Sequence, residues 1–148
     1  MREVNRSALV GFPAQAMFDL VNDVARYPEF LPWCKRSEVL ESSDSHMLAS
    51  IEIAKGGFNR AFTTRNTLTP GERIELALVD GPFKELAGSW HFQALSDDAC
   101  KVSLHLEFKF ASRMLEMMLG PVFNQICDTM LDSFVRRAQV VYGNKAGA

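Results

Sequence analysis

The side chains able to do chemistry are few and scattered. His46, His91 and His105 lie in different stretches, and the latter two alternate with charged residues on what reads as a solvated strand face. Cys34, Cys100 and Cys127 are odd in number and widely spaced, which gives neither a disulfide framework nor zinc-ligand spacing. Asp97 and Asp98 are neighbours in a turn, and Lys55-Gly56-Gly57 reads as a hairpin turn rather than a phosphate cradle. There is no nucleophile elbow, no His-Glu-x-x-His and no glycine-rich nucleotide loop. These residues imply binding without catalysis, with no metal and no required cofactor. The better candidates are apolar walls carrying a few polar groups, the usual make-up of a ligand pocket. Trp90, Phe92, Leu106 and Phe108 supply such a wall, and the strand of Phe62 places Thr64 and Asn66 on the same face.

The elements that must position them are read from periodicity. Val102, Leu104, Leu106, Phe108 and Phe110 alternate with Lys101, Ser103, His105, Glu107 and Lys109, so one sheet face is dry and the other wet. Val4, Arg6, Ala8 and Val10 mark a first strand, and Met17, Leu20, Val21 and Val24 a short helix that begins near Pro13. Turn signals at residues 42–45, 55–57, 69–72, 80–82 and 96–98 divide the chain from Trp33 onward into about six strands joined as a meander.

Residues 112–142 read as a long amphipathic helix with Leu115, Met118, Leu119, Val122, Ile126, Met130, Phe134 and Ala138 on its apolar face. Ser112 serves as N-cap and Gly143 as the stop. A proline inside a helix costs about 3 kcal/mol, so a kink or break is expected at Gly120-Pro121: either Pro121 starts a second helix, or the Met-rich residues 114–118 form a movable flap over a cavity. The order strand, short helices, six strands, long helix is α+β. It predicts a helix-grip fold: a curved antiparallel sheet of about seven strands wrapped around the terminal helix, as one domain over residues 1–148.

A chain of 148 residues, 47% hydrophobic and 23% charged, has the composition of an ordinary globule. Its formal charge of −2 provides no general basic field for nucleic acid, and DNA is not an expected partner. Lys35-Arg36, Lys55, Arg60 and Arg65 form one candidate basic patch and Arg136-Arg137 another. No apolar run spans a bilayer and no signal-peptide core follows Met1, so a cytoplasmic address is expected, with at most transient contact with a membrane surface.

The run Tyr27-Pro28-Glu29-Phe30-Leu31-Pro32-Trp33-Cys34 is more specific. With Val79-Asp80-Gly81-Pro82-Phe83-Lys84, Gly88-Ser89-Trp90-His91-Phe92 and Leu119-Gly120-Pro121-Val122-Phe123, it resembles the coenzyme-Q-binding and ribosome-association-toxin family of the START-like, polyketide-cyclase-like superfamily. The resemblance implies a hydrophobic cavity under the helix, with Tyr27, Phe30 and Trp33 at its mouth or as a plug. Its walls would be Phe62, Asn66, Trp90, Phe92, Leu106 and Phe108, and its roof Val122, Ile126 and Met130. The resemblance also implies two functions: binding of ubiquinone or a related isoprenoid lipid in support of respiration, or binding of the large ribosomal subunit so as to block subunit joining. Net charge places the lipophilic ligand first, because ribosomal RNA is a dense array of phosphates.

Overall fold

Two-residue alternation over most of the chain produces seven strands, and the computed structural model describes residues 2–55 and 58–146. Strand β1 (Arg2–Val10) leads into helix α1 (Ala14–Asn22) and a 3-10 helix (Val24–Glu29). Strands β2 (Cys34–Ser42), β3 (His46–Lys55), β4 (Phe58–Thr69), β5 (Arg73–Asp80), β6 (Phe83–Ser96) and β7 (Ala99–Phe110) form the meander, and helix α2 (Arg113–Ala146) closes the chain. The sheet is antiparallel, in the order β1-β7-β6-β5-β4-β3-β2, so the first strand returns beside the last. This is the anticipated helix-grip arrangement. Gly56 and Gly57 of the anticipated Lys55 turn lie outside the described residues.

The sheet curves because its ladder is interrupted where curvature is needed. Bulges fall between Cys34 and Arg36, Val39 and Glu41, Thr63 and Thr64, Phe83 and Glu85, and Ala94 and Ser96, each adding local bend and twist. Gly88 faces Leu106 across β6 and β7, and a Cβ there would sit 2.4 Å from the His105 carbonyl oxygen. Only glycine permits that approach. Gly71, at φ 73, turns β4 into β5 through the left-handed region.

The dry face of β7 is fully committed: Val102, Leu104, Leu106, Phe108 and Phe110 are all buried. Helix α2 covers it with Leu119, Phe123, Ile126, Cys127, Leu131, Phe134 and Ala138, steps of three and four that hold one stripe toward the sheet. Its N-terminus is capped as the sequence predicts, Ser112 Oγ accepting from the Leu115 amide at 3.1 Å.

Three expectations about this helix are corrected. It does not break at Pro121 but runs unbroken for 34 residues, about 51 Å. Pro121 is exposed and displaces no core packing. The Met117 carbonyl it leaves without a donor belongs to a residue that is 75% exposed, where water can replace the lost bond. Burial of Leu119 and Phe123 on either side holds the axis through the flaw. Gly143 does not stop the helix either: it lacks a positive φ, and α2 continues to Ala146. Finally, Met118 is 59% exposed and does not belong to the buried stripe, which is rotated toward Phe123 and Cys127. No helix among the described residues is long and apolar enough to cross a membrane.

Because the proline defect is offset rather than absent, Pro121→Ala should raise the unfolding free energy by up to about 3 kcal/mol in urea titration. An unchanged or lowered midpoint would show that the missing Met117 bond carries no cost.

Candidate functional site

Where the curved sheet draws away from α2, a cavity of about 80 Å³ remains. Tyr27, Trp33, Phe62, Asn66, Trp90, Leu106, Ile126 and Met130 line it, eight of the residues anticipated from the sequence. Two buried polar side chains sit in this wall. Thr64 Oγ1 donates to Asn66 Oδ1 at 2.8 Å, and the Asn66 amide nitrogen has no hydrogen bond with a described residue. An apolar chamber with the Asn66 amide as a free donor suits a ligand carrying a carbonyl oxygen. Its volume does not suit a large one: at about 30 Å³ per water it matches two or three waters, against roughly 300 Å³ or more for drug-sized ligands.

The other four anticipated residues lie elsewhere. Phe92 shares its strand face with Trp90 but sits farther along β6, under α1, with its ring 5.7 Å from that of Phe18. Phe108 is closed into an aromatic cluster, 4.7 Å from Phe123 and 6.2 Å from Phe83. Val122 lines a separate shallow depression beside Phe62 and Phe83, and Phe30 faces an outer groove. Strand parity fixes a face but not the depth along it. Phe123, a cavity residue absent from the sequence-based set, stands four residues after Leu119 in the stripe, where the sequence reading took the three-residue step to Val122.

The buried reactive groups are held inert. The Tyr27 hydroxyl donates to the Val21 carbonyl, and burial raises its pKa above the usual phenol range. Burial pushes the Cys34 thiol up to about 11 and Cys127 up to about 12. Neither is a thiolate nucleophile at neutral pH. His105 is on the wet face of the sheet, 2.6 Å from Asn5 Oδ1 and 3.4 Å from Glu107 Oε1, remote from the dry interior.

On the other side of Trp33 lies the outer groove, about 490 Å³, between the 3-10 helix, the end of β3 and the outer face of α2. Lys55, Arg136 and Arg137 line it together with Gln125, Thr129 and Ser133, and no carboxylate does. Of the first anticipated basic patch only Lys55 reaches this groove, beside Arg136 and Arg137 of the second; Lys35, Arg36, Arg60 and Arg65 are not in the lining. Arg137 donates to Glu29 Oε1 at 2.9 Å and lies 5.0 Å above the Phe30 ring. Lys55 and Arg136 make no ion pair with described residues. Trp33 lines both spaces, and its indole Nε1 is buried without a hydrogen-bond partner among the described residues.

A curved sheet gripping one long helix around an apolar chamber defines a START-like, hydrophobic-cavity class of protein. Residues 10–135 match the model of the polyketide cyclase / dehydrase and lipid transport family. The chain belongs to that family and, within it, to the branch that contains ribosome association toxins and coenzyme-Q-binding proteins. It is 56% identical to the ribosome association toxin RatA of Vibrio cholerae over 97% of this chain and 99% of that protein. To the mitochondrial coenzyme Q-binding protein COQ10 of Drosophila melanogaster it is 29% identical over 93% of this chain, which spans 59% of that longer protein. The Zhui aromatase/cyclase of Streptomyces sp. R1128 superimposes with a TM-score of 0.77 at 19% identity, covering 96% of this chain and 97% of that one, a likeness of fold alone.

The neutral buried thiols set the sign of an alkaline effect. Unfolded thiols ionise near pH 9, whereas Cys34 and Cys127 stay protonated in the folded protein up to about 11 and 12. The unfolded chain therefore binds fewer protons in this window, and stability, fully present below pH 9, falls as pH rises toward 11. Urea titrations should show a loss of up to about 1.4 kcal/mol per pH unit for each thiol, with Cys127→Ala shallower than wild type. A flat profile from pH 9 to 11 would contradict the assigned burial.

Proposed function

We propose that this protein binds the large ribosomal subunit and hinders its joining to the small one, acting by occupancy rather than catalysis, in the cytoplasm. The observation that carries this reading is the 56% identity, over nearly the full length of both chains, to a protein named a ribosome association toxin. It reverses the order that net charge suggested. A formal −2 is an average over the chain, but at physiological salt charges are screened beyond about 8 Å, so an approaching phosphate responds to the local cations of the groove.

In a gradient of purified subunits, the protein should travel with the large subunit and lower the yield of joined particles. Its retention at the top of the gradient, with joining unaffected, would refute the reading.

A second reading, a lipophilic quinone or isoprenoid lipid in the cavity, is favoured by one observation: the free Asn66 donor in a largely apolar wall. At about 80 Å³, the cavity must open by displacement of α2 before a quinone ring and tail can enter. Asn66→Leu should abolish retention of added ubiquinone, measured by mass spectrometry of the washed protein, with a stability loss of about 1–3 kcal/mol because the buried Thr64 hydroxyl loses its acceptor. Equal retention by the variant would remove the donor from the account.

A further inference from the structure

We propose that the outer groove is the contact surface for RNA on the large subunit, a short unpaired strand laid along α2 from Gln125 to Val140; this rests on the ribosomal reading above. That stretch is about 22 Å long. The first ground is charge: Lys55, Arg136 and Arg137 line the groove with no carboxylate, in a chain whose net charge is −2. Lys55 and Arg136 are free of ion pairs among the described residues, so they can meet phosphates without first breaking an internal bridge.

The second ground is independent of charge. Trp33 is only 6% exposed, and its indole nitrogen is a buried donor with no acceptor among the described residues, on a side chain that lines the groove. That nitrogen has almost no accessible surface, so a phosphate or base oxygen would satisfy it only after the Trp33 ring turns toward the groove. Along the helix, Thr129 Oγ1 donates to the Gln125 carbonyl at 3.0 Å and Ser133 Oγ to the Thr129 carbonyl at 3.1 Å. Their hydrogens are committed, so both hydroxyl oxygens face outward interactions as acceptors. Ribose 2′-hydroxyls donate to such acceptors, which bare phosphate cannot do.

The test uses the full chain and isolated large subunits, with affinity measured over a range of KCl. Phosphate contacts by Lys55 and Arg136, the two cations without a bridge, predict a slope of log affinity against log salt of about −1.4 on a single strand. Lys55→Gln with Arg136→Gln should weaken binding at least tenfold and flatten the slope by about 1.4. Lys101→Gln with Lys109→Gln, on the solvent face of β7, should change neither. Thermal unfolding checks each variant; if the groove pair proves unstable, the exposed single change Arg136→Gln decides, with a flattening of about 0.7. Wild-type protein that fails to bind large subunits overturns both readings. Wild-type binding that the groove variants keep in full overturns the groove alone. A weakened variant with an unchanged salt slope points to a ribosomal protein instead, and competition by vesicles of anionic phospholipid points to a membrane; either result overturns the RNA assignment.

Discussion

The structure depends on the apolar stripe of α2 being buried against the dry face of the sheet, of which the short α1 covers only one end. A sheet with one dry face must find a second layer, and 34 residues of helix provide it. The helix runs unbroken while the sheet is bent by its bulges, so the two surfaces cannot meet everywhere. Where they part, the chamber beneath Trp90 and Leu106 remains. Where they meet, aromatic rings close ranks: Phe83, Phe108, Phe110 and Phe123 pack edge to face or stacked within about 6 Å of one another.

The same helix therefore presents two chemistries, one to each side. Its inner stripe roofs an apolar chamber whose reactive groups are buried neutral or tied to backbone carbonyls. Its outer face, offset by the helical period, carries Gln125, Thr129, Ser133, Arg136 and Val140 into the groove. Trp33 is the partition between them, lining both spaces, and any ligand that swells the chamber must press on the wall of the groove. That shared wall gives the two functional readings a common structural element.

Much of this was legible in the sequence. Alternation in β7 gave the dry face, turn residues gave the meander, and Ser112 gave the start of α2. What misled was local rule against tertiary context. The cost of Pro121 is real, but burial on both sides of it outweighs the tendency to break. Phe92 and Phe108 were placed on the correct face and at the wrong depth, since a two-residue period contains no information on where along a strand the helix lifts away. The groove was the least legible feature, because Lys55 and Arg136 are far apart in the chain and meet only when the β3 end is folded against α2. For the same reason, summed charge pointed away from a surface on which three cations converge.

The most direct test is a cryo-electron microscopy reconstruction of the protein on the large ribosomal subunit. The account predicts the outer face of α2, from Gln125 to Val140, against RNA density, with the solvent face of β7 directed away from the particle. Density contacting the β1–β7 face, with the groove open to solvent, would contradict it.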